Sequence, residues 1–324
     1  MHRIPVGVLG ASGYAGRELC ALIARHPRMR LAFATANERR GEQARLGGED
    51  VRFVAHDDAP LSGAELVFSA LPHGASATWV ARVRDAGARA VDLSSDLRPG
   101  NGRGDVPYGL TELARQQLPD AVVVANPGCY PTAILMALVP LAKRGLIASG
   151  GIVNATAASG VTGAGLTART DLLFGEVTED FRAYGIANTH RHVAEMRTVL
   201  ERTGADVDLI FTPHLLPVAR GILATITVPV TQTLADPLSP WRDEFAGELF
   251  VELTTEPPSL RDVVRRNVVR ISARHVAGVR QPTLLILSAI DNLVKGAAGQ
   301  AVQNANVALG LDETLGLRLA GVLV

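Results

Sequence analysis

The chain is predicted to be α/β, a Rossmann-type doubly wound parallel sheet followed by an α+β domain with a mixed sheet. Three observations predict this. Short apolar runs alternate with helical stretches through the first 128 residues, and a glycine-rich turn, GASGYAG (residues 10–16), directly follows the first run. Beyond residue 148 the texture changes to small uncharged residues and then to longer strand-like runs. A length of 324 residues is itself about twice the usual size of one domain.

In order, IPVGVLG (4–10), LAFATA (31–36), ELVFSAL (65–71), ARAVDLS (88–94) and AVVVAN (121–126) read as strands bounded by polar residues or glycine. Between some of them lie helix patterns. YAGRELCALIARH (14–26) puts Leu19, Leu22 and Ile23 on one stripe, and GASATWVARVRDAG (74–87) does the same with Trp79, Val80 and Val83. In the second half, residues 209–214, 222–229, 268–272 and 283–290 read as strands of a sheet that is at least partly antiparallel. KGAAGQAVQNANVALG (295–310) is helical and is expected to return to the first domain. The expected domains are 1–128 with 296–324 for a dinucleotide, and 129–295 for catalysis, substrate and oligomer contacts.

Lysine plus arginine equals aspartate plus glutamate at 32 each, so no basic excess points to a nucleic acid. The two cysteines, Cys20 and Cys129, lack metal-ligand spacing, and neither CxxC nor HExxH occurs, so no metal is expected and a reduced, cytoplasmic setting is. No secretory leader pattern opens the chain. Residues 121–142 carry no charge, yet Asn126, Pro127, Gly128, Pro131 and Pro140 interrupt them, which reads as strand, turn and buried helix rather than a membrane span.

The turn after the first strand opens a helix, where unpaired N–H groups and a partial positive charge attract phosphate. Gly10 and Gly13 keep the approach clear, Gly16 lets helix and strand pack closely, and the Ser12 hydroxyl adds a donor. The spacing is GxxGxxG rather than GxGxxG. The end of the second strand, where an acidic residue would hold the ribose of NAD, reads ATANERRG, with Asn37 near the strand end and Arg39 and Arg40 just beyond. Guanidinium groups suit a 2′-phosphate, so NADP(H) is the expected cofactor, with Glu38 the residue that opposes the assignment.

NPGCYPT (126–132) places Cys129 at a strand-to-helix corner, with Pro131 in the first helical turn. A helix start favours the thiolate, the nucleophilic form, whereas Cys20 sits among Leu19, Leu22 and Ile23 as a small apolar residue. A thiolate nucleophile needs a proton-transfer partner. The candidates are THRHVAE (189–195) and TPHLLPVARG (212–221). His190 and His192 share a face on an extended segment and diverge at a helix start, and Glu195 is placed to orient one imidazole.

These pieces together, GASGYAG, LPHGAS (71–76), DLSSDLR (92–98), NPGCYPT, SGVTGAG (159–165), HRHVAE, RGILAT (220–225) and DNLVKGAAGQAVQN (291–304), run in order along nearly the whole chain. They resemble the N-acetyl-gamma-glutamyl-phosphate reductase family. The resemblance implies a fold like that of aspartate-semialdehyde and glyceraldehyde-3-phosphate dehydrogenases. It also implies that Cys129 attacks the acyl phosphate of N-acetylglutamyl 5-phosphate and expels phosphate, and that NADPH reduces the thioester to the semialdehyde, with His190 or His192 as acid/base and Glu195 beside them. Cofactor contacts are expected at Gly10, Ser12, Gly13, Tyr14, Gly16, Arg39, Arg40, Leu71, Ser159, Gly160, Asn292, Lys295 and Gly296. Substrate contacts are expected at Arg98, Arg220 and Asn126, the arginines because a guanidinium matches phosphate and carboxylate bidentately. A homo-oligomer, dimer or tetramer, is the expected assembly. One departure is Ala194, where the family pattern has proline before the glutamate. Two other readings stand beside this one: a reductase of a carrier-protein-linked aminoadipyl or glutamyl phosphate in lysine biosynthesis, and an NADP-binding regulator without chemistry.

Overall fold

The structure is a computed structural model and describes residues 3–101 and 106–319. The chain divides into two compact units, Met1–Gly128 with Ala297–Arg318, and Cys129–Gly296 with Leu319–Val324.

In the first unit the strands are β1 (Ile4–Leu9), β2 (Met29–Thr35), β3 (Gln43–Leu46), β4 (Glu49–Val54), β5 (Leu66–Ser69), β6 (Arg89–Asp92) and β7 (Val123–Ala125). They form one sheet in the order β3-β4-β2-β1-β5-β6-β7, parallel at every pairing except β3 with β4. Strand order reverses beside β1, the switch point outside whose carboxyl end open α/β sheets take ligands. Helices α1 (Tyr14–Arg25) and α2 (Ser76–Asp85) follow β1 and β5. Val6, Val8 and Leu9 of β1 are fully buried, as are Leu19 and Ile23 of α1. The β3/β4 hairpin lies outside the strands predicted from sequence. Its turn is Gly47-Gly48, both at positive φ, a pair suited to a two-residue hairpin turn.

The second unit holds β8 (Gly151–Gly160), β9 (Arg182–Ala183), β10 (Val207–Leu216), β11 (Ile222–Pro229), β12 (Val251–Leu253), β13 (Val269–His275) and β14 (Thr283–Ile290). Its order, β12-β13-β14-β11-β8-β10-β9, mixes parallel and antiparallel pairs. β8, central to that sheet, is the stretch that reads in sequence as a glycine-rich change of texture. Val153, Ala155, Ala157 and Ser159 point inward, while Ile152, Asn154 and Thr156 alternate to the exposed face.

Helix α3 (Cys129–Lys143) is buried from Tyr130 through Ala142, apolar all round as an interior helix should be. Pro140 cannot donate to the Met136 carbonyl four residues back. The Trp241 indole N–H donates there instead, 3.2 Å from Met136 O and 3.1 Å from Ala137 O. Thus a helix containing proline stays continuous behind its first residue, Cys129. Helix α4 (His192–Arg202) begins at the second histidine of the motif, and α5 (Gly299–Ala308) belongs to the first unit. Among the described residues no helix is long and apolar enough to cross a membrane.

Candidate active site

In the second unit, Cys129 is the first residue of α3 and partly buried. Behind it lies Gly296, so near that a Cβ built on Gly296 would stand 2.8 Å from the Cys129 Cβ. The Gly296 N–H donates to the Asp291 carbonyl at 2.8 Å. Residues 294–298 form a single π-helical turn leading into α5, a wide turn of the kind that clusters at functional sites. Lys295, in that turn, is fully buried, with Nζ 5.5 Å from the centre of the Phe250 ring.

Tyr130, next to the thiol, organises the other side. Its ring centre lies 5.5 Å from His190, 6.0 Å from His192 and 5.1 Å from Phe211, each edge-on, and its hydroxyl is 2.8 Å from that of Tyr184. Burial, then the neighbouring Tyr184, raises the Tyr130 phenol far above its ordinary pKa, so it stays protonated. The imidazoles of His190 and His192 are 4.7 Å apart, centre to centre.

The backbone N–H of His192 donates to His190 Nδ1 at 3.2 Å. Neutral His190 therefore carries its proton on Nε2, where it is a donor. Burial, reinforced by the Arg191 charge, pushes the His190 pKa down to about 4. His192 and Glu195 are both nearly fully buried one helical turn apart at the start of α4, on one face of that helix. Phe211 faces this cluster, and β10 alternates, so His214 falls on the other face of the sheet, stacked on Phe181 at 5.0 Å. The second histidine motif is thereby separated from the thiol.

The remaining sequence candidates of this unit gather at the ends of β8, β11 and β14. Ser159 and Gly160 end β8. Asn292 accepts the Gly221 N–H at 2.8 Å and donates to Thr162 Oγ1 at 3.0 Å, tying these strand ends together. Arg220 Nη1 is 3.6 Å from Asp291 Oδ2.

In the first unit, Gly10 has φ 75, and a Cβ there would meet the Ala70 carbonyl oxygen at 2.5 Å; one on Gly16 would meet the Gly10 oxygen at 2.3 Å. A Cβ on Gly13 would come no nearer than 3.7 Å to a neighbour. So Gly10 and Gly16 serve packing, and Gly13 is the open position. Gly13 also caps α1, and among the described residues no side chain caps that end. Ser12 and Tyr14 flank it, partly buried, and Leu71 sits in the core under the loop. An open cradle at an uncapped helix start fits a pyrophosphate.

At the end of β2, Arg39 Nε donates to Glu42 at 2.8 Å and its guanidinium lies over Phe53, whereas Arg40 is exposed. Arg98 is nearly fully buried, donating from Nε to the Asn126 carbonyl at 2.7 Å and from Nη2 to the Leu93 carbonyl at 2.6 Å. Asn126 is fully buried, with its side chain bonded to Ala297 O and to Asn304 Nδ2. Both thus support the corner before Cys129, a use that sequence reading missed.

The same holds for the buried amides of α5. Gln300 donates to Thr111, Gln303 to Glu112, and Asn304 to Gly109 O and Asn126. A polar stripe on a helix predicted to be buried is the signal that would have found them. The DLSSDLR motif works likewise. Asp96 takes the N–H groups of Gly74 and Ala77 at the start of α2. Asp92 takes Ser76 and Ser94, and its burial outweighs those bonds and raises its pKa.

Residues 5–121 match the family model described as semialdehyde dehydrogenase, NAD binding domain, and 129–292 match semialdehyde dehydrogenase, dimerisation domain. The N-acetyl-gamma-glutamyl-phosphate reductase of Halorhodospira halophila is 42% identical, covering 97% of this chain and 98% of its own. The chain belongs to the N-acetyl-gamma-glutamyl-phosphate reductase family. Reductases of the same name from Symbiobacterium thermophilum and Pseudomonas aeruginosa are 39% and 37% identical, over 98% and 99% of both chains. Among solved structures, aspartate semialdehyde dehydrogenase II of Vibrio cholerae superposes with a TM-score of 0.75 at 20% identity, covering 95% of this chain and 98% of its own. The Candida albicans aspartate semialdehyde dehydrogenase, solved with NADP, gives 0.68 at 16%, over 94% and 98%. The sequence expectation of fold and family is therefore borne out: this member of the reductase family carries the NAD-binding and dimerisation domains of the semialdehyde dehydrogenases.

Proposed function

We propose that the chain converts N-acetyl-L-glutamyl 5-phosphate to N-acetyl-L-glutamate 5-semialdehyde with NADPH, releasing inorganic phosphate, as a step of arginine biosynthesis. The observation that carries the proposal is Cys129 at the start of a buried helix, backed by Gly296 and next to a tyrosine that touches both imidazoles.

Helix α3 favours the thiolate of Cys129, which attacks the acyl carbon. The carbon–oxygen bond to phosphate breaks and a thioester remains on the sulfur. When bound, the nicotinamide supplies a hydride for the thioester carbonyl. What is left to the chain is to hold the carbonyl oxygen, place a proton on it and release the aldehyde. The His190 Nε2–H is a neutral donor for that oxygen, and His192, buried beside Glu195, is our choice for the acid/base. Arg220 is assigned to an anionic group of the substrate. The 2′-phosphate of NADPH is assigned to Arg40 with Arg39, the pyrophosphate to the loop of Gly10, Ser12, Gly13, Tyr14 and Gly16, and further cofactor contacts to Leu71, Ser159, Gly160, Asn292, Lys295 and Gly296. Arg98 and Asn126 serve the substrate by holding the cysteine corner. The first unit is read as the cofactor domain and the second as the catalytic one, in a cytoplasmic dimer or tetramer.

The test is phosphate-dependent oxidation of N-acetylglutamate semialdehyde, followed by NADPH absorbance. Wild-type protein should produce absorbance and Cys129→Ala should not. Silence from the wild type, or full activity in the variant, would refute the reading.

A further inference from the structure

Arg265, just before β13, has a left-handed backbone, φ 65. Such a conformation costs a non-glycine residue roughly 1 kcal/mol or more and persists where surroundings impose it, often at functional sites. Here the constraint is visible. The Arg265 N–H donates to Asp291 Oδ2 at 2.7 Å. Asp291 is fully buried, and its Oδ1 accepts the N–H groups of Leu293 at 2.7 Å and Val294 at 3.0 Å. Arg220 Nη1 lies 3.6 Å from the same Oδ2, and the Asp291 carbonyl takes the Gly296 N–H behind Cys129. One buried aspartate therefore holds the glycine behind the nucleophile, the guanidinium of Arg220 and the backbone of a second arginine.

The side chains next along the chain are committed elsewhere. Arg266 pairs with Glu252 and donates to the Asp262 carbonyl, and Arg270 also reaches Glu252. The Arg265 side chain is exposed and, among the described residues, has neither a hydrogen bond nor an ion pair. The strained backbone of Arg265 shares Asp291 Oδ2 with Arg220 and carries an exposed, uncommitted guanidinium, a group that suits an anion. The substrate of the reaction above carries two negatively charged groups, a carboxylate and the transferable phosphate.

We propose that Arg265 is a second anion-binding residue beside Arg220 and recognises a charged group of the substrate. This rests on the function proposed above. The informative variant is Arg265→Gly, which removes the charge while accepting the left-handed backbone, so folding is preserved; Arg265→Lys restores the charge. In the phosphate-dependent oxidation, the KM values for the semialdehyde and for inorganic phosphate are measured separately. In Arg265→Gly one of them should rise about 10-fold or more, with kcat within about twofold and partial recovery in Arg265→Lys. A rise for the semialdehyde assigns the carboxylate, and a rise for phosphate assigns the phosphoryl group. Both KM values unchanged within about twofold in an active enzyme would overturn the inference alone, whereas an inactive wild type would overturn the proposed function and this inference with it.

Discussion

Gly296 stands against Cys129 with no room for a side chain: a Cβ there would come 2.8 Å from the cysteine Cβ and 3.2 Å from its Cα. The two residues are the first and last of the segment Cys129–Gly296 of the second unit, and the close approach sets where the sulfur can sit. Gly296→Ala should therefore act on chemistry more than on folding. Overpacking of this kind costs about 1–3 kcal/mol, and a nucleophile displaced by about 1 Å loses roughly 100-fold in rate. Turnover reduced by about that factor, with a thermal midpoint only a few degrees lower, is the expected pair of measurements. Unchanged turnover would mean that the cysteine does not depend on this wall.

The two thiols should differ sharply in reactivity. Burial pushes Cys20 up to about 12, and it is 1% exposed, whereas Cys129 opens α3 and is partly accessible. Brief treatment with iodoacetamide near neutral pH should label Cys129 alone, as read by peptide mass mapping. Labelling of Cys20 at a comparable rate would contradict the burial described.

His190 should show itself in the acid limb of stability. Its folded pKa, about 4, lies below the ordinary histidine value near 6.5, because burial and then Arg191 disfavour the charged ring. Between those values the unfolded chain binds a proton that the native one does not. The stability contributed by keeping the ring neutral is complete above about pH 6.5 and declines as pH falls toward 4. In His190→Gln, the fall in thermal midpoint from pH 7 to pH 4.5 should be smaller than in wild type. Identical profiles would show that the ring titrates normally.

The two arginines after β2 should not be equivalent. Arg39 is already held by Glu42 and the Phe53 ring, while Arg40 is exposed. Removing a charged hydrogen bond costs about 1.5–3 kcal/mol, so Arg40→Ser should raise the KM for NADPH roughly 10- to 100-fold and leave that for NADH nearly unchanged. Arg39→Ser should have the smaller effect. Equal loss with both cofactors in Arg40→Ser would remove it from the 2′-phosphate site.

Periodicity carried much of the fold. The strands near residues 4–10, 31–36, 65–71, 88–94 and 121–126 appear within a few residues of their predicted places, because buried parallel strands are short apolar runs between polar breaks. β8 was hidden for the opposite reason. Its alanines, glycines and serine carry little propensity, and its place in the sheet comes from pairing with β10 and β11 on either side. The β3/β4 hairpin was legible in its Gly47-Gly48 turn but lies between charged residues that blur the alternation.

By itself, the order of residues determined the reductase family, the doubly wound first half and the chemical types at the cysteine corner, since these follow from local pattern and motif. Only the tertiary structure decided that Gly296 walls in Cys129, that His190 accepts a hydrogen bond at Nδ1 while His214 faces away, and that Arg98 and Asn126 brace the corner. The reason is physical: the Gly296 wall and the braces of Arg98 and Asn126 depend on distances between segments remote in sequence, and the His190 tautomer on the local backbone geometry where α4 begins, none of which residue pattern encodes.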